Sequence, residues 1–124
     1  MNAQDHHVVV LGASPKPARY SNQAVRLLLT KGYRVTPVHP KVSLIEGLPV
    51  VADLASIRDS VHTLTLYVGP QRMASLVLPL IDLKPGRVIL NPGTEWADLE
   101  HRLDVAGIPW LHACTLVMLR IGVF

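Results

Sequence analysis

The chain has 124 residues, 49% of them hydrophobic, with one cysteine and 12 basic residues against 9 acidic ones, for a formal net charge of +3. That length suits one domain spanning residues 1–124 with a core of its own and leaves no room for a second, and a lone thiol excludes an internal disulfide or a cysteine-built zinc or iron–sulfur site. The mild, scattered positive charge and few aromatic rings argue against nucleic-acid binding and suit a small anionic ligand.

The opening residues Met1, Asn2, Ala3, Gln4 and Asp5 carry an acid and no basic region, so neither a secretory signal nor a transit peptide is expected. The longest uncharged apolar stretch, residues 73–81, is far short of a membrane span. Both readings place the protein in the cytoplasm.

In chain order, the first element is a strand over His7 to Leu11, an apolar β-branched run of the kind that fills a buried parallel strand. It ends abruptly in Gly12-Ala13-Ser14-Pro15, a turn of small residues. A helix follows, with Ser21 as expected N-cap, Ala24, Val25, Leu28 and Leu29 as apolar face, and Gly32 as terminator. Such a turn between strand and helix can aim backbone N–H groups at a phosphate.

A second strand over Arg34 to Val38 ends in His39-Pro40-Lys41, and residues 42–48, with Gly47, read as a surface loop. Asp53 is placed to cap a short helix through Ile57, and residues 63–68 form a third strand. Gly69-Pro70 starts a helix in which Met73, Leu76, Val77 and Leu80 share one face and Pro79 loosens the last turn. Arg87 to Leu90 forms a fourth strand, broken by Asn91-Pro92-Gly93-Thr94. The next helix carries Trp96, Leu99, Leu103 and Ala106 on one side; residues 108–111 make a fifth strand and residues 115–119 a closing helix.

Alternating strands and helices predict an α/β, three-layer Rossmann-like domain with a mainly parallel five-stranded sheet. In such sheets ligands bind beyond the carboxyl ends of the strands, where strand order reverses. The segments falling there are Gly12-Ala13-Ser14, His39-Pro40-Lys41, Val68-Gly69-Pro70, Asn91-Pro92-Gly93-Thr94 and His112-Ala113-Cys114. Any one such loop needs Gly, Pro and capping residues for its turn. Five on one edge, with Lys16, Arg19 and Lys41 nearby, point to an anionic ligand.

The loop is not a dinucleotide fingerprint, because Ser14 and Lys16 follow Gly12 where G-x-G-x-x-G requires glycines, and it is not a Walker A lysine loop. The second strand ends in His39-Pro40-Lys41 rather than in the acidic residue that holds an unesterified ribose. A lysine there suits a phosphorylated ribose, as in NADP or in the 3′-phosphate of coenzyme A.

The run Gly12-Ala13-Ser14-x-x-Pro17-x-Arg19-Tyr20-Ser21-Asn22, with Val38-His39-Pro40-Lys41, Asn91-Pro92-Gly93-Thr94-Glu95 and Ala113-Cys114-Thr115-Leu116-Val117-Met118, resembles the stand-alone CoA-binding domain proteins. These are similar to the N-terminal domain of the succinyl-CoA synthetase α subunit and of NDP-forming acyl-CoA synthetases. The resemblance implies that Gly12, Ala13, Ser14, Ser21 and Asn22 surround the pyrophosphate of coenzyme A. It implies Lys41, after Pro40, beside the 3′-phosphate, with Arg19 or Lys16 as a second cation. Val68 and Gly69 would border adenine and ribose, and Asn91, Pro92 and Gly93 would line the path of the pantetheine arm. Those synthetases use further domains for the acid, the phosphohistidine and the nucleotide, so this chain is expected to bind CoA or an acyl-CoA without completing a ligase cycle.

Cys114, on the same edge, is either a thiol able to meet the CoA thiol or a small packing residue. His39 and His112 lie at strand ends, where either a structural role or a phosphate contact is open. Glu95 reads as a helix-start acid, and Trp96 and Trp110 as packing residues. The remaining histidines are too separated for a metal site, so none is expected. Rival functions are an NADP-dependent oxidoreductase and a module lending a CoA site to a separate catalytic partner; a homodimer is also open.

Overall fold

The computed structural model describes residues 5–124. Residues 1–4, part of the segment read for a targeting signal, lie outside them. The elements are β1 (His7–Leu11), α1 (Tyr20–Thr30), β2 (Arg34–Val38), β3 (Leu44–Ile45), β4 (Leu48–Pro49), a 3-10 turn (Leu54–Ser56), β5 (Thr63–Leu66), α2 (Pro70–Met73), α3 (Val77–Leu83), β6 (Arg87–Leu90), α4 (Ala97–Ala106), β7 (Trp110–His112) and α5 (Thr115–Ile121). Five strands form one parallel sheet in the order β2-β1-β5-β6-β7. The expected α/β Rossmann-like architecture is present.

Strand residues alternate between two apolar layers, as a pleated backbone dictates. Val9, Leu11, Leu64, Leu66, Val88 and Leu90 pack with Leu80, Leu99 and Leu103 from α3 and α4. Val8, Val10 and Val35 pack on the opposite face with Val25, Leu28 and Leu119 from α1 and α5. No helix among the described residues is long and apolar enough to cross a membrane.

Several local details differ from the sequence reading, among them the third strand, which ends at Leu66, and the fifth, which is Trp110–His112 rather than residues 108–111. Helix α1 starts one residue before Ser21, with Arg19 at the N-cap position and no side-chain capping bond. The loop over residues 42–48 closes into a small antiparallel hairpin, Leu44 pairing Pro49 and Ile45 pairing Leu48. Its tight turn forces Glu46 and Gly47 to positive φ. Pro79 acts one turn earlier than expected: its ring excludes a helical carbonyl at Ser75, and the helix breaks at Ala74–Leu76 so that Pro79 falls in the first turn of α3, where no N–H is needed. Asp53 caps the 3-10 turn as expected, accepting from the Ser56 N–H.

The register aligns the strand ends. Leu11 lies beside Val38 on one side and Leu66 on the other, Leu66 beside Leu90, and Leu90 beside His112. The loops that follow therefore leave the sheet in one row, and strand order reverses between β1 and β5.

Candidate functional site

At that reversal lies a cleft of about 650 Å³, walled by Leu11 to Lys16 from the β1 loop, Arg19, Tyr20 and Ser21 from the start of α1, Val38, His39 and Pro40 after β2, Ala52, Asp53 and Leu54 from the 3-10 turn, Tyr67 and Val68 after β5, and Arg72 and Leu76. Of the residues expected at the site, Gly12, Ala13, Ser14, Lys16, Arg19, Ser21, Pro40 and Val68 are brought together in its walls. Asn22, Lys41, Gly69, Asn91, Pro92, Gly93 and Cys114 are outside them.

Gly12 makes the close approach of β1 and β5 possible. It has φ +87°, and a Cβ built on it would lie 2.8 Å from Val68 Cγ2 and 2.9 Å from the Tyr67 carbonyl oxygen. Only glycine meets both conditions without strain. The ladders also continue past the strand ends, since Tyr67 N–H donates to the Leu11 carbonyl at 2.9 Å and Ala13 N–H to the Val38 carbonyl at 3.2 Å. The floor of the cleft is thus an extension of the sheet.

The electrostatics of the cleft follow from its helix. The first-turn N–H groups of α1 have no intrahelical acceptor, no side chain caps them, and the first turn holds no acid. Lys16, Arg19 and Arg72 bring three positive charges to the walls, against one carboxylate, Asp53. One oxygen of that carboxylate accepts from both the N–H and the hydroxyl of Ser56. Helix donors and cations converge on one space, which favours a multiply charged anion.

His39 shapes the neighbouring wall. Its Nδ1 accepts from the backbone N–H groups of Lys41 at 3.0 Å and Val42 at 3.2 Å, which assigns the ring proton to Nε2. The turn so formed leaves His39 and Pro40 in the cleft and Lys41 on the exposed lip.

Asn22 and Asn91 are committed internally. Asn22 is fully buried, donating to the Ser14 carbonyl at 2.9 Å and to Glu46, and accepting from Arg26. Asn91, 3% exposed, donates to Thr65 Oγ1 at 2.7 Å and to the Leu66 carbonyl at 2.9 Å, and its Oδ1 accepts from Thr115 N–H at 2.8 Å. It ties β6 to β5 and to the start of α5. Beyond it, Gly93 N–H donates to Glu95, and the Glu95 carboxyl is held below the usual range by its own backbone N–H and that of Gly93. Cys114 is half-buried at the N-cap of α5. Trp96 and Trp110 pack against the core.

Arg72, Tyr20, Tyr67 and Asp53 are cleft residues that the sequence reading did not assign to the site. Arg72 had one available signal, its place in the first turn after Gly69-Pro70 at the carboxyl edge of the sheet. Asp53 had none, because a single bridge between Val38 and Val51 and the bonds Val51 N–H to Pro37 and His39 N–H to Val51 bring it in from a later segment.

A family model described as a CoA binding domain matches residues 6–120. The chain belongs to the CoA-binding domain family. Among solved structures it is similar to an uncharacterized protein at 38% identity, TM-score 0.91, covering 96% of this chain and 98% of that one. It is also similar to a Thermus thermophilus protein at 29% identity, TM-score 0.88, with both chains fully covered. A dinucleotide-forming acetyl-coenzyme A synthetase of Candidatus Korarchaeum cryptofilum shares the fold at 19% identity and TM-score 0.76, over 89% of this chain and 25% of that one.

Proposed function

We propose that the protein binds coenzyme A or an acyl-CoA in the cleft between β1 and β5, in a binding, carrier or sensing role. The observation that carries this reading is the uncapped N-terminus of α1, opening beside Lys16, Arg19 and Arg72 onto the point where strand order reverses. Membership of the CoA-binding domain family supports it. So does the fold shared with the acetyl-coenzyme A synthetase.

In this reading Gly12, Ala13, Ser14 and Ser21 surround the pyrophosphate, which takes the first-turn donors of α1. Asn22 contributes by holding the loop. Lys16 and Arg19 balance the phosphate charge, and Lys41, on the lip after Pro40, meets the 3′-phosphate. Arg72 adds a cation on the opposite wall. Val68 and Gly69 border adenosine, and the pantetheine arm runs over the loops carrying Pro92, Gly93 and Cys114, with Asn91 fixing their position. The reading makes no bond-breaking step, and it is compatible with a homodimer or with a separate catalytic chain that uses the bound CoA.

The test is calorimetric titration of ligand-stripped protein with CoA, 3′-dephospho-CoA and NADPH. CoA is expected to bind with the highest affinity, and Lys41→Ala to weaken CoA by about tenfold while leaving dephospho-CoA unchanged, as loss of one charge-assisted contact predicts. Binding of NADPH without CoA would replace the reading with that of an NADP-binding protein.

A further inference from the structure

Four carbonyl groups of the loop between β1 and α1 are occupied by hydrogen bonds. The Ser14 carbonyl accepts from Asn22 Nδ2 at 2.9 Å, the Lys16 carbonyl from Arg19 N–H at 3.1 Å, the Pro17 carbonyl from Arg26 Nη2 at 2.8 Å and the Ala18 carbonyl from Gln23 Nε2 at 3.1 Å. Three of these four donors are side chains of α1, and the Arg26 Nε bond to Asn22 Oδ1, 2.8 Å long, locks two of them together. Asn22 and Arg26 are four residues apart and share a helix face.

A carbonyl oxygen aimed into an anion site repels its ligand, and a loop free to rotate its peptide units samples such states. Asn22, Gln23 and Arg26 oppose this from the side of the loop away from the ligand. Gln23 and Arg26 do not wall the cleft. Prolines 15 and 17 restrict the same segment, and Ser14 Oγ accepts the Lys16 N–H at 3.1 Å.

We propose that Gln23 and Arg26 are positioning residues for the anion site: they hold the loop carbonyls off the cleft before any ligand arrives, so that affinity depends on side chains that never touch the ligand. The proposal rests on the reading of the cleft as a CoA phosphate site, but the state of the loop can be measured without ligand.

Arg26→Met, Arg26→Lys and Gln23→Ala are compared with the wild-type chain by amide hydrogen exchange in the free protein and by CoA titration at several salt concentrations. In Arg26→Met the Lys16 and Arg19 amides are expected to exchange several-fold faster, and CoA affinity to fall by about tenfold through lost pre-organisation. The salt dependence of binding is expected to stay close to that of the wild type, because the guanidinium that is lost does not wall the cleft. Arg26→Lys, which reaches one acceptor in place of two, falls between, and Gln23→Ala shows the same effect more weakly. Unchanged loop exchange in both Arg26→Met and Gln23→Ala would overturn the proposal whether or not the protein binds CoA. Normal affinity despite faster exchange would also overturn it, as would a reduced salt dependence, which would make Arg26 a direct phosphate contact. Failure of the wild-type chain to bind CoA would instead count against the proposed function, with loop exchange still deciding on the clamp.

Discussion

Gly12 and Val68 meet where the strand order reverses, so closely that a single added carbon on Gly12 would sit 2.8 Å from Val68 Cγ2. The same carbon would face the Tyr67 carbonyl at 2.9 Å, on a backbone with φ +87°. Gly12→Ala is therefore expected to cost about 2 kcal/mol or more from strained backbone and steric overlap together. Urea unfolding measures that cost. CoA affinity should fall with it, since β1 and β5 cannot separate without reshaping the floor of the cleft.

Asn91 is a structural latch. Asn91→Ala strands the Thr115 N–H and the Leu66 carbonyl in a buried setting, and stability should drop by about 2–4 kcal/mol. Asn91→Asp keeps an acceptor for Thr115 but sets a carboxylate oxygen against the Leu66 carbonyl and is expected to be no better than alanine. Parallel unfolding curves of the two variants check this; a near-wild-type aspartate would refute the assigned amide orientation.

The layered fold was legible because strands and helices announce themselves by different periods, and the apolar run His7–Leu11 and the face of Ala24, Val25 and Leu28 obey them. The edge that carries the cleft was legible for the same reason, since a parallel sheet puts every strand–helix loop on one side. Residues immediately after β1 could thus be assigned to the cleft, as Gly12, Ala13, Ser14 and Lys16 show. Side-chain direction was not legible. Asn22 and Asn91 carry polar groups suited to a ligand, yet both spend them on backbone and neighbouring side chains. Asp53 enters through a bridge between Val38 and Val51, a long-range pairing that no local pattern encodes.

The opposite edge of the sheet governs acid stability. The His6 ring packs tilted against His62 at 3.6 Å between centroids, meets Tyr33 edge-on, stacks on Phe124, and hydrogen-bonds Thr63, which also accepts from Arg87. Burial, with the neighbouring His62 and Arg87 charges, lowers the His6 pKa to about 4. His62 and His7 are also lowered, chiefly by burial. The unfolded chain takes up these protons first, so stability is full above pH 6.5, falls as pH drops from 6.5 toward 4, and levels off for His6 below that. His6→Phe should flatten the slope in this window, as chemical denaturation between pH 7 and 4 would show.

Tyr67 carries a buried hydroxyl that makes no hydrogen bond of normal geometry, and burial pushes its pKa up to about 12, offset only in part by the nearby Thr65 and Thr115 hydroxyls. Removing an unsatisfied polar atom relieves a desolvation cost. Tyr67→Phe is expected to leave the melting temperature unchanged or raise it by a few degrees. A lower melting temperature would mean that the hydroxyl bonds in solution.

The central claim is that CoA lies on the uncapped end of α1. The most direct measurement is backbone amide chemical-shift mapping of the whole chain during titration with CoA. The account predicts saturable shifts at Gly12–Ser14 and Tyr20–Asn22, with the His6, His62 and Arg87 cluster at the far edge unmoved. Shifts confined to the separate groove lined by Ile57, Arg58, Ser75, Leu78 and Asp82, or none at millimolar CoA, would contradict it.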